Sequence, residues 1–420
     1  MRSALIDLEP LRTSPPFRRL WIGRSLSGFG SQLAFVAVLF QIWQATGSTV
    51  WTGAAGLVQA LPLVLLGLFA GALADRVDRR RCYLLATGGQ AVFALLLAWQ
   101  GLFAPLPPAG VLGLLAGQAC CAALSAPAAR TFAAQLLPAR QLAAGLALQG
   151  VAFQGALLLG PALGGLLLAR WGVGTCYLLD AVSFLAAALG AYGLPKSAAG
   201  ERTARPGLGG LVDGLAFLAR TPVVRGALLT DLAATVLAMP VSVFPEVNSE
   251  RFGGSPRTLG LFLTALAVGG VAASLLSGVF TRLPRPGVVM FAGSAGWGAA
   301  LLLFGLATNS LAALGFLALA GVADTVAVVA RGTVVQSHTP AEYLGRVGAV
   351  EQMAGQAGPD LGNLRAGLVA GAGSAQTALV SGGLLCLLAV AALAAGGPEL
   401  RAAAVGGGTG GNSPAGEGPA

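Results

Sequence analysis

Long uncharged apolar runs, interrupted by short polar stretches, dominate the chain. Residues 25–74 carry no charged side chain, a run too long for a single bilayer crossing, and Gly47-Ser48 divides it into two stretches of about 20 residues each. Residues 82–129 form a second uncharged run, split by Pro105, Pro107 and Pro108. A fifth run covers 141–169, and a sixth covers 176–194, interrupted only by Asp180. Beyond a polar connector the pattern resumes over 226–246, 258–280, 287–307, 311–331, 347–371 and 375–396. Length and hydropathy predict twelve transmembrane helices, six on each side of the connector.

Composition removes the soluble alternatives. Hydrophobic residues make up 55% of the 420 positions and charged residues only 10%, against roughly 25% charged in an ordinary globular domain. The net charge of +9 is spread between apolar runs rather than gathered in one patch, which argues against a nucleic-acid partner. Placing the N-terminus inside puts 21 of the 25 Lys and Arg residues in cytoplasmic segments or inner span ends. Only Arg170, Arg251 and Arg257 fall outside, and Arg365 lies within a span. The positive-inside rule then predicts a multi-pass protein of the cell membrane with both termini cytoplasmic. Residues 1–16 hold Asp7, Glu9 and three prolines, unlike a cleavable signal peptide. The five cysteines show no metal-ligand spacing and the one histidine, His338, has no local partner, so no metal or other cofactor is expected.

The predicted organisation is a tail over 1–16, a six-helix bundle over 17–194, a cytoplasmic linker over 195–225, a second bundle over 226–396 and a disordered tail over 397–420. Within the linker, Leu208, Leu211, Leu215 and Leu218 recur at helical spacing beside Arg220 and Arg225, which predicts an amphipathic helix on the inner leaflet. The two bundles repeat one plan. Ala129-Arg130, Gln135, Pro138-Ala139 and Leu142 recur as Ala330-Arg331, Gln336, Pro340-Ala341 and Leu344. Gly160-Pro161-Ala-Leu-Gly164 recurs as Gly358-Pro359-Asp-Leu-Gly362. Two such halves imply a pseudo-two-fold bundle with a path between them.

Two motifs carry the chemistry of movement. Between spans two and three runs Gly71-Ala-Leu-Ala-Asp75-Arg76-Val-Asp78-Arg79-Arg80-Arg81. Its glycine permits close helix approach, and Asp75 with Arg76, Arg79 and Arg80 suits a charge latch made in one conformation and broken in another. This stretch resembles the signature loop of the major facilitator superfamily, with Asp78 where most members have glycine. In span five, Gly160-Pro161 and Gly164-Gly165 combine a missing backbone donor with small packing surfaces. They are similar to the superfamily's antiporter motif, although Ala156 replaces its first glycine. The arginine that exporters carry in span four is absent between Gly113 and Pro127. The stretches 74–81, Arg285–Met290 and Thr339–Arg346 resemble the enterobactin exporter branch of the superfamily. That resemblance implies the major facilitator fold, an all-α membrane protein of two pseudo-symmetric bundles, and export of a siderophore. Exporters of macrolides and other drugs are the related alternative.

Ionisable groups inside a membrane are costly and default to functional candidates. Asp231 and Asp324 are the proton-carrier candidates, each weighed evenly against a fixed ion pair. Span eleven concentrates Glu351, Gln352, Gln356, Asp360, Asn363 and Arg365 and is expected to line the cavity. Glu351 and Arg365 are about 21 Å apart along that helix, so each needs a partner elsewhere. Asp180 reads as structural, Arg24 as a snorkelling cation or substrate contact, and Phe35, Phe40, Trp43 and Phe153 as packing or pocket aromatics. A secondary exporter follows: a single chain that binds a small, bulky molecule and returns on proton movement. No Gly-x-x-x-x-Gly-Lys loop occurs, which argues against direct use of ATP. A channel would need a filter-like ring rather than a latch, and an enzyme a polar catalytic cluster that this composition does not supply.

Overall fold

The computed structural model describes residues 7–74, 78–194 and 208–402. Among these, every regular element is helical. The order is α1 (Glu9–Thr13), α2 (Pro15–Thr46), α3 (Thr49–Ala74), α4 (Arg79–Leu102), α5 (Pro108–Leu136) and α6 (Ala139–Tyr192). Then come α7 (Leu208–Arg220), α8 (Pro222–Ala238), a 3-10 turn (Val241–Val243), α9 (Phe244–Arg251), α10 (Pro256–Leu275) and α11 (Ser277–Phe280). The chain continues through α12 (Pro286–Leu306), α13 (Ser310–Ser337), α14 (Leu344–Ala372), α15 (Ala375–Gly396) and α16 (Pro398–Ala402). Nine of the described helical segments are long and apolar enough to cross a membrane.

The boundaries follow local chemistry. Proline occupies the first turn of α2, α5, α8, α10 and α12, where its missing N–H is not needed. Ser14, Asn309 and Ser374 cap α2, α13 and α15 by accepting from the backbone N–H of Phe17, Ala312 and Thr377. Gly47 ends α2 with a positive φ of 57°, a left-handed conformation that costs glycine nothing.

Two helices depart from the simple pattern. α6 has 54 residues with helical dihedrals broken only at Gly172, whose φ is 77°. Twelve helical residues would separate Gly164 and Cys176 by about 18 Å, yet the Cys176 thiol lies 3.9 Å from the Gly164 carbonyl. The chain therefore doubles back at Gly172 into two antiparallel limbs. The run expected to be continuous over 226–246 is broken instead: α8 stops at Ala238, and Pro240, which has no N–H to donate, precedes the 3-10 turn.

We call the end where α2 begins proximal and the opposite end distal. At the distal end the two halves of the chain meet along glycine seams. Gly165 of α6 faces Gly260 of α10 so closely that a Cβ on either would lie 3.2 Å from the other's Cα. A Cβ on Gly367 of α14 would lie 3.3 Å from the Cα of Gly53 of α3, one on Gly53 would meet the Asn363 and Leu364 backbone, and Thr49 donates to the Gly367 carbonyl at 2.9 Å. The broken segment adds a polar tie: Thr52 donates to the Ser242 carbonyl at 2.7 Å, and Ser242 bonds Asn363 through both its N–H and hydroxyl. Near the proximal end α7 packs on α14, with Phe217 stacked on Tyr343 and Gly214 against the Arg346 backbone. Leu218 is buried but Leu215 is 49% exposed. The amphipathic helix expected from the leucine spacing thus packs partly on protein.

Replacing Gly260 with leucine is expected to force α6 and α10 apart and cost about 1–3 kcal/mol. A lower unfolding temperature of the purified protein checks it.

Candidate functional site

In the carboxy-terminal half, three helices bring opposite charges together. Arg331 of α13 forms an ion pair with Asp231 of α8 through Nη1. Its Nε donates to Glu351 Oε1 of α14 at 3.2 Å. The Arg331 and Asp231 side chains are 11% and 12% exposed, and Glu351 24%, so water screens the cluster weakly. The second oxygen of Asp231 is buried and has no hydrogen-bond partner among the described residues. Asp324 lies two turns before Arg331 on the same face of α13, within electrostatic reach of Asp231 and Arg331. Asp324 is exposed. One guanidinium thus holds Asp231 and Glu351 from two helices, with a third carboxylate, Asp324, within electrostatic reach.

Arg130 of α5 donates to Gln352 of α14 at 2.8 Å. It is the counterpart of Arg331 in the sequence repeat. The two repeat-related arginines therefore reach adjacent residues of one helix. The Arg130–Gln352 side-chain hydrogen bond joins the two halves near the proximal end.

A cavity of about 340 Å³ opens in the amino-terminal half, lined by α2, α4, α5 and both limbs of α6. Arg24, Trp21, Tyr83, Gln90 and Phe153 are on its walls. Arg24 donates to the Ala129 carbonyl at 3.0 Å. Phe153 is 63% exposed, whereas Phe35 and Phe40 pack against the hydrophobic core; of these aromatic candidates, Phe153 is the one on the cavity wall.

The other expected residues divide into ties and seams. Gly71 is within α3; Asp75 and Arg76 lie outside the described residues, so the latch they were expected to form is not described. Asp78 caps α4, accepting from the Arg80 N–H at 3.0 Å, a local use for a carboxylate at this position. Arg80 bonds the Tyr192 carbonyl and stacks over its ring, 5.5 Å from the centroid. That joins α4 to the end of α6 within one half. Arg79 begins α4. Gly160 and Gly164 pack on α2 beside Gln32 and Leu33, and Gly165 on α10. Pro161 presents its carbonyl to Gly260.

Asp360 of α14 is half-buried beside Gly56 and makes no ion pair among the described residues. Arg365 donates to the Leu237 carbonyl, exposed where α8 breaks, and to Ser381 at 3.2 Å. This is a capping role that the sequence pattern did not indicate. Asp180 is buried at 1% exposure and accepts from Ser31 at 3.3 Å and Gln118 at 3.1 Å, tying three helices. Sequence reasoning placed Arg331 near a span end and missed it as the hub. Three carboxylates on apolar helices of one half needed a cation, and Arg331 stands seven residues after Asp324 on one face.

The model of the transmembrane secretion effector family matches residues 6–403. The chain belongs to that family. It is a transporter of the major facilitator superfamily, embedded in a membrane, and not an enzyme. The enterobactin exporter EntS of Escherichia coli O1:K1 is 29% identical over 90% of each chain. The peptide transporter POT in complex with sulfate superposes with a TM-score of 0.76 at 11% identity, over 94% of this chain and 96% of that one. A D-xylose–proton symporter gives 0.70 at 14% identity, over 92% and 99%. The last two likenesses concern the fold alone.

Arg331→Gln would leave Asp231 and Glu351 facing each other without their cation and is expected to destabilise this transporter by about 3–5 kcal/mol. Glu351→Gln, removing the more exposed partner, should cost less. Denaturation of both variants in detergent checks the order.

Proposed function

We propose that this transporter exports a siderophore from the cytoplasm by alternating access, coupled to protons. The observation that carries the reading is the match to an enterobactin exporter over 90% of both chains. Twelve crossings follow when α3 and α14 are added to the nine apolar segments and α6 is read as two spans hinged at Gly172. In this reading the repeat relates two six-helix bundles, and the distribution of basic residues supports both termini on the cytoplasmic side of the cell membrane. With that orientation, the glycine seams close the outer end while the cavity beside Arg24 belongs to the inner half of the bundle. The arrangement suits a state that loads from the cytoplasm.

The Arg331 cluster supplies a means of coupling. A proton on Asp231 removes the charge that holds Nη1 and leaves the guanidinium to Glu351 and Asp324. Proton binding thereby changes which of α8, α13 and α14 are tied together. Each charge moved through the field contributes about 2.3 kcal/mol per 100 mV, enough to bias such an exchange. The monomer is the working unit of this reading, with lipid, substrate and protons as its partners.

The test uses inside-out vesicles with an imposed pH gradient. Radiolabelled catecholate siderophore should accumulate in the wild type, and Asp231→Asn should reduce uptake to that of vesicles without the transporter. Uptake indifferent to collapse of the gradient would remove proton coupling, and accumulation of a macrolide alone would move the substrate to the drug class.

A further inference from the structure

We infer that the cavity of the amino-terminal half is a ligand subsite for a planar aromatic anion, with Arg24 as its charge contact. This deepens the export reading by naming a ligand class, and its test reads binding without reference to direction or coupling. Among the described residues, Arg24 is the one cation on the wall, and no Asp or Glu lines the cavity. Its guanidinium is oriented by the Ala129 carbonyl through Nη1; it makes no ion pair among the described residues. A fork of donors with one prong held by backbone is set to receive a carboxylate or phenolate with the others.

The buried Asp180 carboxylate accepts from the Ser31 hydroxyl and from the Gln118 amide. It therefore does not occupy Arg24. Aromatic surface supplies the second half of the recognition. Trp21 is fixed by donation from its indole nitrogen to the Leu148 carbonyl at 3.0 Å. Tyr83 is held edge-on against Phe132 with ring centroids 5.3 Å apart. Both rings are pre-oriented, while Phe153 is free to close over a ligand because most of its surface is exposed. The Gln90 amide, held by Ser125 at 3.3 Å, adds a polar contact for a ring substituent.

A volume of about 340 Å³ is at the small end of ligand pockets. It fits one substituted ring, either a small molecule or one arm of a larger one reaching toward the other half.

The experiment is equilibrium dialysis of radiolabelled salicylate and of its neutral analogue salicylamide against the full-length transporter in nanodiscs, with empty nanodiscs subtracted. Salicylate should bind the wild type at least about tenfold more tightly than salicylamide. Arg24→Gln should abolish that preference, Arg24→Lys should keep it at lower affinity, and Phe153→Ala should weaken both ligands alike. Equal affinities in the wild type, a comparison that needs no variant, would overturn the assignment. So would a preference that survives in Arg24→Gln. Salicylate binding without siderophore transport in vesicles would uphold the subsite and remove the export reading alone.

Discussion

Close backbone approach at glycine holds the two halves of this transporter together. In hydrocarbon there is no hydrophobic drive between helices, because lipid tails are as apolar as leucine, so association depends on tight packing and a few polar ties. Gly165 against Gly260 and Gly53 against Gly367 supply the packing. Thr49, Thr52, Ser242 and Asn363 supply the ties on the α3–α14 side. A Cβ at either seam would meet backbone rather than a side chain able to turn aside. The distal contact is therefore made fully or not at all, the discrete behaviour a two-state gate needs.

At the proximal end the contacts are of another kind. Arg130 reaches Gln352 across the halves, and Arg331 reaches Glu351 one residue away on the same helix. Side-chain hydrogen bonds of this sort break and reform without repacking a backbone. The described contacts between the halves thus differ in kind, packed backbone at the distal seams and a side-chain hydrogen bond at the proximal end. α14 takes part in both, with its distal half on α3 and its proximal half carrying Glu351 and Gln352. Its polarity follows from that position, since one face meets the other half and another faces the charge cluster.

The antiporter-like motif acquires a concrete use in this setting. Gly160 and Gly164 seat α6 on α2, while Pro161 and Gly165 meet α10 of the other half. Both ends of the motif are therefore contact surfaces. The sharp change of direction in α6 comes eleven residues after Pro161, at Gly172, where the positive φ requires glycine.

Hydropathy alone determined that the chain is helical and membrane-embedded, because the bilayer demands long apolar segments whose backbone bonds are satisfied internally. Span eleven was expected to line the cavity; none of its residues is on the wall of the described cavity, and Glu351, Gln352, Asn363 and Arg365 bond to protein partners instead. Of the seam glycines only Gly165 stood in a motif, and Gly53, Gly260 and Gly367 did not stand out, since which backbone a glycine admits depends on the neighbouring helix. The break at Pro240 was visible as a residue, yet its consequence was not: the freed Leu237 carbonyl finds Arg365 128 positions away. The ion cluster shows the same division. Asp231, Asp324 and Glu351 stood out singly because charge in an apolar run is costly. That Arg331 serves Asp231 and Glu351 on two different helices was decided only by tertiary packing, which sets the distances on which Coulomb attraction depends.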